Sequence, residues 1–384
     1  MSSRELIRQA MEQKRPERIP VMCQMANGHT VINTEVDPID YFLDGALWAD
    51  CLTRMRALYD FDGVLCHKPG RVHGLADQIV KMDRDAETPT LYLEDGARIE
   101  CTRDDDAYYK ATAEFTWPDI EELDLENLLA WAPESYQAFQ ASKASLPIGD
   151  PDGFEDHVFD TLDLIISGLG EDYSVHGEVR SPFDHFLNIL GMENGLMYLL
   201  THPEKCAAVL DVTAGWSVAL AVAQVRRGAQ AIKISSPFAG NTFLSREMYS
   251  DFIQPYEARI AVAVKTEGAA VYTHTCGGIG DRLDLICETG VTGIECLDPP
   301  PLGDVDINEA VETLKGKIFI KGNVDPVNTL LRGDKERIEE DIGKILLAAE
   351  NMEGFILSSA CSIAPPTPPD NLKRMVELCR DFRP

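Results

Sequence analysis

Short apolar runs alternate with longer stretches of helical periodicity along nearly the whole chain. The runs at residues 18–24, 61–66, 173–178, 230–235, 269–274, 292–297, 317–321 and 354–358 are compact and carry few polar positions, so neither face is suited to water. They predict strands buried on both sides of a parallel sheet. Between them, residues 41–59, 203–227, 245–267 and 334–351 place apolar side chains at helical spacing. Eight strands, each followed by helix, predict an α/β chain folded as a (β/α)8 TIM barrel, a single domain over residues 1–384. A doubly wound open sheet is the architectural rival. No GxGxxG follows the first run and no GxxxxGK[ST] occurs, so nucleotide-binding readings have no motif to stand on. Residues 74–150 break the alternation and predict an insertion between the second and third strands. Within it, residues 90–100 hold two strand-like pieces around the turn Glu94-Asp95-Gly96, and residues 118–149 are acidic and mostly of helical pattern.

A barrel gives the polar residues a common address, because chemistry sits at the carboxyl ends of the strands. Gln24, His29, His67, His176, Glu178, Ser235 and Ser236 fall just past the first four strands. His274 with Cys276, Glu295 with Cys296 and Asp298, Lys321 with Asn323, and Cys361 follow the later ones. His274 and Cys276, two apart on an extended segment, face the same side and offer an imidazole and a thiolate to a soft metal. Cys361, from another element, is the expected second thiolate, and Cys296 competes with it. Three such ligands with one open place suit a catalytic Zn2+, since structural sites close with four and commonly use CxxC pairs, of which this chain has none. The plainer alternative is a histidine packed at a strand end among cysteines that act as small apolar fillers. Cys287 and Cys379 lie in helical patterns and are expected to pack. Glu178 and Glu295 are candidates for a fourth metal ligand or a proton donor, with an ordinary salt bridge as the alternative for each. Gln24, His29, His176, Asp298 and Asn323 are the candidate substrate-binding residues.

Composition narrows the partners. With 35 basic and 64 acidic residues the net charge is −29, which opposes nucleic acid and anionic membranes. The start of the sequence lacks an apolar signal core and no uninterrupted apolar run reaches membrane-spanning length, so a cytoplasmic protein is expected, without excluding assembly into a homo-oligomer. Ten cysteines at scattered spacings do not read as a disulfide framework and leave thiols for metal chemistry.

From residue 18 to the end the chain resembles the uroporphyrinogen decarboxylase superfamily, and within it the zinc-dependent methyltransferases that work with corrinoid proteins. The resemblance is carried by Ser181-Pro182-Phe183-Asp184 leading to Gly191, His202-Pro203-Glu204, Leu244-Ser245 with Tyr249, and Gln254-Pro255-Tyr256. Further on it is carried by Lys321-Gly322-Asn323-Val324-Asp325-Pro326 and by Ser358-Ser359-Ala360-Cys361 ahead of Pro365. It implies zinc on His274, Cys276 and Cys361, and a corrinoid (cobalamin) supplied by a partner protein. The decarboxylases are similar in carrying this framework, but they hold acidic side chains of the substrate with arginines just after the first strand. Here Pro20 is followed by Val21-Met22-Cys23-Gln24-Met25-Ala26, and no arginine appears until Arg54. The resemblance therefore implies methyl transfer, with porphyrinogen decarboxylation and a non-catalytic corrinoid-binding barrel as alternatives. The expected reaction moves a methyl group from an aryl methyl ether to Co(I). Tyr92, Tyr108, Tyr109, Phe115 and Trp117 in the insertion are the expected aromatic walls. The reverse direction, methylation of a thiol as in the coenzyme M methyltransferases, is the other small-molecule reading.

Overall fold

The computed structural model describes residues 1–71, 74–133 and 150–382. Seven parallel strands form one curled sheet in sequential order: β1 (Gly63–Cys66), β6 (Ser174–Arg180), β7 (Ala231–Ser235), β8 (Ala270–Thr275), β9 (Gly293–Cys296), β10 (Phe319–Val324) and β11 (Phe355–Ser359). Most of their residues are buried whichever way they point, as parallel strands covered by helices require.

The expected first strand, residues 18–24, departs from this pattern. It is reduced to two isolated parallel bridges, Val21 to Leu357 and Met25 to Ile363. On the β11 side the Met22 N–H donates to Leu357 O at 3.0 Å and the Leu357 N–H donates to Pro20 O at 2.8 Å. On the β1 side the Val21 N–H is taken by the Asp62 side chain at 2.8 Å instead of a ladder carbonyl, and the Asp62 N–H returns to Val21 O at 2.8 Å. Pro20 has no N–H to give. The segment thus bonds to both edges of the sheet without joining a continuous ladder.

Between β1 and β6 the chain builds a separate antiparallel sheet from β2 (Ile79–Asp83), β3 (Thr90–Leu93), β4 (Arg98–Cys101) and β5 (Ala107–Lys110), in that order. Leu75, Leu91, Leu93, Ala97, Ile99 and Cys101 give it an apolar cluster of its own, shared with Ile39. The helical pattern expected at 118–149 appears within 118–133 only as a 3-10 helix, Leu125–Trp131; residues 134–149 lie outside the described residues. Two long helices are each broken once. Asp44 ends Pro38–Leu43 and caps Gly45–Tyr59 by accepting from the Ala46 and Leu47 N–H groups. Pro255 opens Gln254–Thr266 after Arg246–Phe252.

Inside the sheet, Met22, Leu65, Ala231, Tyr272, Phe319 and Ile356 form a lower layer, capped by Ile7, Ala10 and Met11 of the N-terminal helix. Gly293 makes room for the Phe319 ring: a Cβ there would meet its carbons at 2.2 Å. Helix Pro203–Arg226 is long and apolar enough to cross a membrane by length and composition, but 72% of its apolar window is buried inside the protein.

Candidate metal centre

Strand register assembles the site. Ser235 pairs with His274, His274 with Glu295, and Glu295 with Lys321, so four neighbouring strands raise these side chains to one level. The next row down pairs Glu178 with Lys233 and Lys233 with Tyr272. Cys276 follows β8, and Cys361 follows β11.

The structure brings His274, Cys276 and Cys361 together. The Cys276 sulfur lies 3.4 Å from His274 Nε2 and 3.8 Å from the Cys361 sulfur, and the Cys361 sulfur lies 4.0 Å from the same Nε2. A tetrahedral zinc with Zn–S of about 2.3 Å and Zn–N of about 2.0 Å sets its ligands about 3.5 Å (S to N) and about 3.8 Å (S to S) apart. The triangle fits that demand. Cys296 is one residue away on β9: its sulfur, the Cys276 sulfur and a carboxylate oxygen of Asp298 lie within 4.8 Å of one another. Cys287, in helix Leu283–Glu288, and Cys379, in helix Pro369–Asp381, belong to the packing between sheet and helices.

Charge around the triangle is balanced by buried pairs. His274 Nδ1 is 3.0 Å from Glu295 Oε2, which fixes which ring nitrogen faces the thiols. Glu295 also pairs with Lys321 and, at 3.8 Å, with Lys233. Lys233 in turn meets Glu178 at 3.0 Å and hydrogen-bonds Gln24. Burial pushes the Glu295 carboxyl up, but Lys321 and Lys233 outweigh it and hold the group ionised well below the usual range. For Glu178 the same opposition of burial against Lys233 and His67 also ends in a lowered value. Hydrogen bonds with the Cys276 and Cys296 thiols hold the Cys361 thiol far below its ordinary range, in favour of the thiolate a metal needs. Burial, with Lys321 adding, pushes His176 down to about 3, so its ring is neutral.

The other expected residues separate. Gln24 lies at the mouth, donating to Ser362 Oγ at 2.6 Å. Asp298 Oδ2 accepts the Gly277 N–H at 2.8 Å and ties the loop after Cys276 to β9. Asn323 donates to Leu297 O at 3.0 Å, and its own oxygen is buried without a partner. His176 sits a layer below, between Ser174 and Tyr272. His29 is drawn away: it bonds Tyr59 OH at 2.7 Å and Pro365 O at 3.1 Å under the surface. Lys233 was not singled out from the sequence, although a lone lysine in Ala231-Ile232-Lys233-Ile234 is the signal for it.

Beside the thiols opens a cavity of about 410 Å³ lined by Gln24, His67, Lys68, Glu178, Arg180 and Ser362, among others. The turn between β4 and β5 contributes Asp105 and Asp106 to its wall. The aromatic residues expected as walls do not line it; Tyr108 and Trp117 are 43% and 42% exposed elsewhere.

Residues 135–382 match the uroporphyrinogen decarboxylase (URO-D) family, and this chain belongs to it. It is 30% identical over 226 residues to methylcobamide:CoM methyltransferase MtbA of Methanosarcina acetivorans, an alignment covering 59% of this chain and 63% of that one. It is 27% identical over 242 residues to uroporphyrinogen decarboxylase of Geobacter metallireducens, covering 60% and 67%. A solved methyltransferase from Methanosarcina mazei superposes with a TM-score of 0.74 at 17% identity over 100% of this chain and 99% of that one, a likeness of fold.

Proposed function

We propose that this chain is a zinc-dependent methyltransferase that moves a methyl group between a corrinoid carried by a partner protein and a small molecule. The observation that carries the reading is the triangle of one imidazole nitrogen and two sulfurs at 3.4–4.0 Å, at the mouth of a TIM-barrel-like sheet. His274, Cys276 and Cys361 would hold the metal. Zinc bound there supplies Lewis acidity to the sulfur or oxygen that exchanges the methyl group.

The protein's own residues prepare that site. Glu295 keeps the proton of His274 on Nδ1 and leaves the Nε2 lone pair for the metal. Lys233 and Lys321 neutralise buried carboxylates that would otherwise repel two neighbouring thiolates. Asp298 fixes the loop that carries Cys276 through the Gly277 N–H. Residues 74–150, read as an insertion on an eight-staved barrel whose first stave is the irregular segment before β1, supply one acidic wall of the cavity.

An aryl methyl ether donor was the expectation from the aromatic residues of the insertion. The cavity wall contains amide, hydroxyl and charged groups in their place, which favours a small polar partner, and a thiol receiving the methyl group suits the zinc and the wall together. MtbA, by its name a methyltransferase acting on coenzyme M, supports that direction. The test is to incubate the zinc-loaded protein with methylcobalamin and a panel of small thiols, and with reduced cobalamin and methoxylated aromatics, following the cobalamin spectrum. Zinc-dependent loss of methylcobalamin with a thiol is expected. Methylation of reduced cobalamin by an aryl ether, with every thiol inert, would reverse the direction, and no methyl movement either way would overturn the reading.

A further inference from the structure

Cys296 is the one cysteine close to the proposed zinc ligands that the reaction above does not use, and it is fully buried. Its sulfur and the Cys276 sulfur are within 4.8 Å. Two thiolates on one tetrahedral zinc stand about 3.8 Å apart, so a shift of about 1 Å would bring Cys296 into the coordination shell. The third member of its group, Asp298, is 5% exposed and carries one buried oxygen, Oδ1, with no hydrogen-bond partner. That orphaned oxygen marks the place as one where a charged or polar group is still to be met. The backbone presents the sulfur from an unusual position: Cys296 and Leu297 have φ of 83° and 60°, left-handed values that non-glycine residues seldom take. Such a conformation at the end of β9 turns the chain sharply where the strand reaches the mouth.

We infer that Cys296 is a fourth, exchangeable ligand of the same metal, closing the set as one histidine and three cysteines in the resting protein. This inference rests on the zinc reading proposed above. It separates two functions that the three-ligand set leaves mixed: four donors hold the metal tightly at rest, and loss of the one not fixed by a second anchor opens the coordination place for the reacting molecule. Exchange with a thiol is balanced in protons, because Cys296 leaves as a thiolate and takes up the proton the incoming thiol gives up. Asp298 is the alternative fourth donor from the same group.

The test counts sulfur around the metal, without relying on activity. X-ray absorption at the zinc edge of the wild-type protein, with no substrate present, should give three sulfurs and one nitrogen; two sulfurs with nitrogen or oxygen in the remaining places overturns the inference. In the cobalt-substituted protein, Cys296→Ser should lower the sulfur-to-metal charge-transfer band by about a third while one metal per chain remains, as expected for three thiolates falling to two. An unchanged band in Cys296→Ser, together with a band about halved in Cys361→Ser, overturns it and leaves the three-donor reading intact. If Asp298→Asn and not Cys296→Ser alters the cobalt spectrum, the carboxylate holds the fourth place and the inference fails. A wild-type protein that takes up neither zinc nor cobalt would overturn the zinc reading itself.

Discussion

Nδ1 of His274 lies 3.0 Å from Oε2 of Glu295, while Nε2 of the same ring faces the Cys276 sulfur at 3.4 Å. One ring is thus oriented from behind by a carboxylate and presented in front to the thiols. Such a carboxylate behind a ligating imidazole commonly contributes about 10–100-fold in metal affinity. Glu295→Gln should weaken zinc binding by about that factor, read by competition with a chelator of known affinity, because the amide accepts a weaker bond and leaves Lys321 without its counter-charge. Unchanged affinity would make Glu295 a salt-bridge partner alone.

Lys233 is 1% exposed and is shared between Glu178 at 3.0 Å and Glu295 at 3.8 Å. Removing one partner of a buried pair strands the other charge, a loss of about 3–5 kcal/mol. Lys233→Met should lower unfolding stability by about that amount in a denaturant titration. Adding Glu178→Gln should recover part of it, since the amide no longer needs a cation; a double variant no more stable than the single one would contradict this.

Glu257, on helix Gln254–Thr266, is buried against β8, with Thr273 Oγ1 donating to its Oε2 at 3.1 Å and its other oxygen unpartnered. Burial pushes its carboxyl up to about 7 from an ordinary 4.5. Between those values the unfolded chain releases the proton while the folded chain keeps it, so stability falls as pH rises through that window and the loss levels off at about 3 kcal/mol above it. Glu257→Gln has no proton to release. Its melting temperature should exceed that of the wild type at pH 8 and match it near pH 4.5, and equal differences at both pH values would contradict the assignment.

The URO-D family includes decarboxylases of a porphyrinogen rich in carboxylates, yet the cavity beside the thiols carries Asp105, Asp106 and Glu178 on its wall, and the chain bears a net charge of −29. Like charges on substrate and site oppose binding. Incubation with uroporphyrinogen should yield no coproporphyrinogen above the uncatalysed background. Turnover at enzymatic rates would place this chain with the decarboxylases.

Much of the architecture was legible because parallel strands buried on both faces leave runs such as Ala231-Ile232 and Phe319-Ile320 that nothing else explains. His274, Cys276 and Cys361 were legible because an alternating HxC puts both donors on one side and the resemblance located the distal cysteine. What escaped the sequence depends on contacts between distant residues. Val21 reads as strand, but the Asp62 carboxylate captures its N–H and interrupts the ladder. His29 reads as a mouth residue, but Tyr59 and Pro365 bind its ring away from the thiols. Tyr108 and Trp117 read as cavity walls from composition alone, whereas the β4–β5 turn brings aspartates to the cavity.

Metal content tests the central claim most directly. Purified wild-type protein should carry about one zinc per chain, and Cys276→Ala and Cys361→Ala should lose it on desalting while Cys287→Ala keeps it. Because these ligands tie together only the mouth of the sheet, the zinc-free protein should still unfold cooperatively from a folded state. Stoichiometric zinc retained in Cys361→Ala would contradict the assignment of the site.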